Sequence, residues 1–413
     1  MTFLSAVAIL SAEAQSKAVK RLSAPTDSVQ MAAAEKAHND SLKAQMARPD
    51  YIIASLVVAS PGFELYSDAG HAALRLQCPS KKVDNCYEFA SLIDFDTTLE
   101  FIRGTMNGAF KRLYTRNYIK RYRDEKRGIT ELRLNLSPEQ KVELWRMADK
   151  HCDVDMGWKF DYLVNDCSNM VAWLVESSLL EDSLKYNNVD PKLIGTYRET
   201  FALVQPYSPW AALFWDIMMG TFGDKPTDFR GHLYPTFLMS EWQKASLVDP
   251  QGNERPLTIG KPTTLLKVGK ENKPVKPTPI TVMTVLVLLA AAVSILQYKK
   301  GYNILCRITD VILFTIEFLI GLLVTYLVLF SQQVATEWNW LIIVFNPLPL
   351  ILWIIFRKKK IMKKIYLLFT FVLVAYSLCT PFSPQLIYSH LYILFAAFAL
   401  RTFTLAYNNN PKL

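Results

Sequence analysis

Phe160 to Ser177, FDYLVNDCSNMVAWLVES, is the stretch on which the reading of this chain turns. Asp166 is a good helix N-cap, and Asn169 to Val175 continues as a mostly apolar helix, so Cys167 falls in its first turn. Unpaired backbone N–H groups there, with the positive end of the helix dipole, favour a thiolate over a thiol. The same groups suit an oxyanion formed when that thiolate attacks a carbonyl. Such a nucleophile needs a base. Asp68-Ala69-Gly70-His71, followed by the strand-like Ala72-Ala73-Leu74-Arg75-Leu76, supplies one. A lone cysteine at a helix start is commonly a small buried hydrophobe, and a lone histidine is commonly structural. Gly70 before the histidine and the polar Asn165-Asp166 step before the cysteine favour the reactive reading.

The rest of the chain says where such chemistry would happen. Its 413 residues are 51% hydrophobic with a net charge of +9, and a mean hydropathy of +0.13 is too apolar for an ordinary soluble enzyme. The apolar residues are concentrated after residue 279. Residues 1–15 hold a short apolar run and an Ala12-Glu13-Ala14 step, an export-signal pattern lacking a basic start and too short to span a bilayer. Residues 16–48 read as a helical spacer, and residues 49–248 as the catalytic domain. Tyr51 to Ser60 is β-rich, and Ile129 to Leu136 alternates as a strand. Ser137-Pro138-Glu139-Gln140 opens a helix with a capping box that runs to about His151.

Cys78 and Cys86 bracket a polar turn, a spacing that suits a hairpin disulfide in an exported protein. Glu88 on the following strand is either the third member of a triad with His71 or an exposed strand glutamate. Asp94 to Arg133 reads as helical and carries nine Lys and Arg between Arg103 and Arg127, interleaved with aromatics. Anionic lipid headgroups or a plain solvated face account for it; nucleic acid is not the expected partner. Tyr197 to Met219 is rich in aromatics and methionine, and Trp210 and Trp215 mark either an acyl-chain groove or an ordinary core. The prolines and lysines of residues 249–279 read as an extended linker.

Taken together, Gly70-His71 on a strand and the FDYLVNDCS run opening a helix resemble the circularly permuted papain-like enzymes, in which histidine precedes cysteine. More closely, the chain resembles the Bacteroidetes lipoprotein N-acyltransferase (Lnb) family, whose periplasmic domain precedes several membrane helices. Gly220, Asp224, Pro226 and Leu233 to Leu238 agree with the segment that ends that domain. The family commonly has Asn-Asn-Cys-Thr where this chain has Asn165-Asp166-Cys167-Ser168, and an anion beside the thiol opposes thiolate formation unless Asp166 is turned into the helix cap. The resemblance implies an α+β, permuted papain-like domain with Cys167 and His71 as its catalytic pair. Glu88 is the candidate orienting group, and Gly70, Asn165, Asp166, Ser168, Trp210 and Trp215 are candidates to touch substrate. The reaction implied is acyl transfer from a phospholipid, through a Cys167 thioester, to the α-amine of a diacylglyceryl lipoprotein. No metal or cofactor is expected.

An all-α membrane bundle of about five helices follows, over about 280–297, 304–330, 338–356, 362–380 and 386–406. Lys299, Lys300 and Arg307, then Arg357 to Lys360 with Lys363 and Lys364, mark the cytoplasmic ends, whereas Ser331 to Glu337 and Thr380 to Gln385 carry no lysine or arginine. This places the N-terminal domain in the periplasm, on the inner membrane. Asp310, near the cytoplasmic end of the second span, can snorkel or pair with Arg401, and Glu317 lies mid-span. Three other readings are open: a membrane-tethered cysteine peptidase or amidase acting on the cell wall, with a polar open cleft; a lyso-form lipoprotein transacylase, which takes the acyl group from the lipoprotein itself; and a non-catalytic scaffold.

Overall fold

The computed structural model describes residues 25–48, 50–62, 64, 67–91, 95–152, 154, 156–204, 208–226, 229–267, 275–356 and 360–407. The export-signal segment 1–15 and the start of the spacer lie outside them; the rest of the spacer is helix α1, Pro25–Met46. The first domain then runs β1 (Ile53–Ala59), β2 (His71–Cys78), β3 (Val83–Ala90), α2 (Phe95–Arg103), β4 (Ala109–Tyr114), α3 (Thr115–Asp124), β5 (Ile129–Leu134), α4 (Pro138–His151) and α5 (Cys167–Glu176). After the short β6 (Ser183–Lys185) come α6 (Tyr197–Leu203), α7 (Pro209–Met218), α8 (Pro235–Trp242), β7 (Ser246–Val248), β8 (Glu254–Pro256) and β9 (Thr258–Leu266).

Six strands form an antiparallel sheet in the order β4-β3-β2-β1-β5-β9. Strand alternation divides it into two faces. Ala54, Leu56 and Val58 of β1, with Leu74 and Leu76 of β2, face the core shared with α4, α5 and α8. Val57, Ala59, Ala73 and Cys86 face the other way, beneath Tyr118 and Tyr122 of α3.

Three expectations are corrected by this sheet. Cys78 and Cys86 are both free. Cys78 pairs with Val83 whereas Cys86 pairs with Arg75, so the two side chains leave opposite faces of the hairpin, a geometry no disulfide can bridge. Within the stretch expected to be helical, Ala109–Tyr114 is the edge strand β4. The expected linker contributes β8 and β9, and β9 pairs with β5 across two register shifts. Threonines and alternation outweigh the linker-like prolines there because Pro262 sits on a sheet edge.

Among the described residues, four helices are long and apolar enough to cross a membrane: α9 (Pro279–Lys300), α10 (Ile304–Phe330), then, after the short α11 (Leu348–Phe356), α12 (Ile361–Cys379) with the turn that extends it, and α13 (Ser389–Tyr407). The segment 338–356 is a 3₁₀ turn at Trp340–Ile343 and the nine-residue α11, separated by residues 344–347, where Pro347, with Pro349 in the first turn of α11, stops a continuous helix. Gly321 of α10 lets the backbone of Asn346 come so close that a Cβ would lie 2.7 Å from it. Arg401 pairs with Asp310 at 2.7 and 2.9 Å and also donates to Ser294 and Gln297, satisfying a buried charge between α9, α10 and α13. Glu317 is buried in the same bundle.

The two units are joined through the loops free of basic residues. Gln332 N–H donates to Arg103 O, Gly220 N–H to Ala335 O and Thr221 N–H to Glu337 O. Gln333 donates to Phe101 O, Asn339 to Ile217 O, and Gln385 to Met219 O. Helix α7 lies between the units: Leu213 and Ile217 enter the membrane core, whereas Trp215 and Met218 enter a separate cluster with Phe101, Tyr162 and Phe201 of the first domain.

Candidate active site

Cys167 is the first residue of α5. The Asp166 side chain accepts from Asn169 N–H at 2.8 Å as the N-cap. The loop leading there is pinned by Asp161, whose Oδ1 accepts from Leu163 and Val164 N–H at 2.8 and 3.2 Å and whose Oδ2 accepts from Val334 N–H of the membrane unit at 3.3 Å. No intramolecular acceptor takes the Cys167 N–H among the described residues.

His71 opens β2, at the rim of the sheet. Gly70 before it has φ +90°, and a Cβ there would come 2.8 Å from Ala59 O, so glycine alone fits the turn that aims His71. The β2–β3 register, extended to the end of β2, sets His71 level with Ala90. Glu88, two residues earlier on the same face, is then its diagonal neighbour. Glu88 Oε2 meets His71 Nε2 at 2.9 Å, and Arg121 of α3 donates to both Glu88 oxygens at 2.9 and 2.5 Å. The Cys167 thiol lines the same cavity as the imidazole and is close enough to raise its basicity. Tyr122 stacks on the imidazole with ring centroids 6.4 Å apart, and the Arg121 and Arg127 guanidiniums lie over Tyr122.

These contacts set the charge states. Burial opposes the imidazolium, but Tyr122, Cys167 and Glu88 outweigh it and hold His71 well above its ordinary value. Burial also opposes the Glu88 carboxylate, yet His71 and Arg121 hold it down at about 2. Asp166 goes the other way: burial pushes it up to about 7 against the N–H bonds from Asn169 and Ser168. The carboxyl beside the thiol therefore sheds much of its charge at neutral pH, which answers the conflict read in the sequence.

A cavity of about 320 Å³ opens over these groups, lined by Gly70, His71, Glu88, Asp166 and Cys167 together with the rings of Phe89, Tyr122, Phe160, Tyr162, Phe201 and Tyr234. The other expected contacts lie elsewhere. Ser168 is fully buried, and Asn165 donates to Lys159 O within its own loop. Trp210 donates to Pro277 O, and Trp215 is buried and donates to Asp68 Oδ2. Neither tryptophan lines the cavity, because α7 is spent on joining the two units. Arg121 and Tyr122 stand in the sequence as two members of a basic, aromatic run. Their period on α3 marks one face, but which strand that face covers is a tertiary fact.

A cysteine at a helix N-terminus packed against an antiparallel sheet, with the histidine on an earlier strand, is the arrangement of a circularly permuted papain-like domain. Residues 40–202 match the family model of the Lnb N-terminal periplasmic domain, and residues 270–411 match that of the Lnb transmembrane domain. The chain belongs to the Lnb family. No curated protein and no solved structure matches it. As a member of the Lnb family it is a multi-pass membrane protein with a periplasmic domain, and its function is of the lipoprotein N-acyltransferase type. The first matched range contains His71, Glu88, Arg121 and Cys167; Tyr234 lies between the two ranges.

Proposed function

We propose that this chain moves a fatty acyl group from a phospholipid to the α-amine of a lipoprotein's diacylglyceryl cysteine by way of a thioester on Cys167, at the periplasmic face of the inner membrane. The observation that carries the reading is the ordered line Cys167, His71, Glu88, Arg121 in a cavity walled by aromatic rings. Glu88 occupies His71 Nε2, which leaves Nδ1 to take the thiol proton, and the raised basicity of the imidazole keeps that proton on His71 as the partner of the thiolate. The thiolate attacks the ester carbonyl. The carbon–oxygen bond then breaks, His71 returns its proton to the glycerol oxygen, and a lysophospholipid leaves. In the second half the lipoprotein amine attacks the thioester and His71 takes the ammonium proton. The carbon–sulfur bond breaks, and thiolate and amide result. Arg121 fixes Glu88, and Glu88 fixes the imidazole; both act through His71.

The aromatic cavity and the junction with the membrane loops favour acyl transfer over the peptidase reading, which calls for a polar open cleft and helices that serve as an anchor alone. The test is the intact mass of a diacylglyceryl lipopeptide after incubation with full-length protein and phospholipid in detergent. Wild type is expected to add one acyl chain to the amine, and Cys167→Ala and His71→Ala to add none. Folded wild type that adds no chain while a thiol probe still labels Cys167 would overturn the proposal in favour of the peptidase.

A further inference from the structure

Attack on a carbonyl by Cys167 places negative charge on the carbonyl oxygen, and one backbone N–H at the start of α5 is a small answer to it. Tyr234 is 1% exposed, its ring forms part of the cavity wall, and its hydroxyl has no hydrogen-bond partner among the described residues. Leaving a buried hydroxyl unpaired costs about 1–3 kcal/mol. The resting fold gains nothing from it.

The residue is also firmly located. Tyr234 is the N-cap of α8, which packs on β1 and α5 and so moves with the element that begins at Cys167. Pro235 abuts the turn at Gly70, with its Cβ 3.5 Å from where a Gly70 side chain would begin. Phe201 holds the tyrosine ring edge-on at 5.1 Å. The ring is thus fixed between the turn that aims His71 and the helix that aims Cys167. Burial, with Asp166 nearby, holds the phenol well above its ordinary value, so it stays a proton donor throughout the working range.

We propose that the Tyr234 hydroxyl, with the Cys167 backbone N–H, forms the oxyanion hole of this site, donating to the carbonyl oxygen of the acyl group in both tetrahedral intermediates. No bond to Tyr234 forms or breaks. The hydroxyl hydrogen-bonds to the oxyanion as the carbonyl π pair moves onto oxygen, and it releases that oxygen when the carbonyl reforms. The inference rests on the covalent route through Cys167 but not on the identity of the acyl donor.

The experiment compares two reactions of the same sulfur in full-length protein. Alkylation of Cys167 by iodoacetamide builds no oxyanion; acylation by phospholipid, or by p-nitrophenyl butyrate as an activated ester, does. Tyr234→Phe is expected to slow acylation on the order of 10²–10³-fold while the alkylation rate and its pH profile stay at wild type. Acylation within a few-fold of wild type overturns the proposal, as does an equal fall in both reactions, which marks a packing role. A wild type that takes butyrate but no phospholipid acyl group, with butyrylation dependent on Tyr234, sustains the oxyanion hole and sinks the phospholipid reading. A wild-type sulfur acylated by neither overturns both.

Discussion

Asp166 does two things at once beside Cys167: its side chain caps α5, and its burial makes the cap costly when ionised. An unfolded aspartate ionises near 3.8, whereas this one holds its proton up to about 7. The folded state therefore carries no penalty below 3.8, loses stability as pH rises from there to 7, and bears the full penalty above. A shift of about three units corresponds to an upper limit of about 4 kcal/mol. Asn caps as well as Asp without the charge. Asp166→Asn is expected to match wild type in thermal unfolding at pH 4 and to gain over it steadily to pH 8. A melting difference that does not grow with pH would show that the carboxyl is not penalised. Glu88 has the opposite sign: held at about 2 against an ordinary 4.5, it contributes stability that is complete above 4.5 and lost as pH falls toward 2.

Elements matter here mainly through their ends. His71 is the first residue of β2 and Cys167 the first of α5, and each is aimed by the turn before it. At Gly70 a methyl group meets both a left-handed φ and the Ala59 carbonyl. Gly70→Ala is expected to cost about 1–3 kcal/mol in urea unfolding and to lower the rate of Cys167 acylation by ten-fold or more, since His71 must shift with the turn. Unchanged acylation would mean that the turn does not position the imidazole. Most of these ends were legible in advance: the Asp166 cap, the Ser137 capping box and the start of β2 are local signals within four residues of the element they punctuate. The edge strands β4 and β9 were not, because an edge strand is chosen by the partner it finds and its own periodicity is weak.

At the scale of the whole molecule, the domain and the bundle meet around Arg198. This buried guanidinium pairs with Asp224 at 2.7 and 3.0 Å and donates to the carbonyls of Asp216, Met219 and Gly220. Asp224 in turn accepts from Leu386 N–H, and Gln385 donates to Met219 O, so one ion pair ties α6 to the end of α7 and to the loop before α13. Removing one partner of a buried pair typically costs about 3–5 kcal/mol. Arg198→Met is expected to lower the melting temperature of the full chain and to open the junction, read as faster hydrogen exchange at residues 216–224 and 383–387. Exchange unchanged at both segments would show that the pair does not hold the units together.

Sequence by itself determined the pieces whose physics is local. The cap at Asp166 set the helix that begins at Cys167, hydropathy marked the spans, and the placement of lysine and arginine set which loops face the periplasm. The resemblance carried by His71 and Cys167 named two residues that the fold brings to one cavity. Tertiary structure alone decided what depends on which face meets which. Strand parity separates Cys78 from Cys86, α3 delivers Arg121 onto Glu88, α7 becomes a joint between the units, and α8 brings Tyr234, whose buried hydroxyl is unpaired, to the cavity wall. Each of these pairs residues far apart in the chain, and neither propensity nor spacing records which distant surfaces will exclude water from one another.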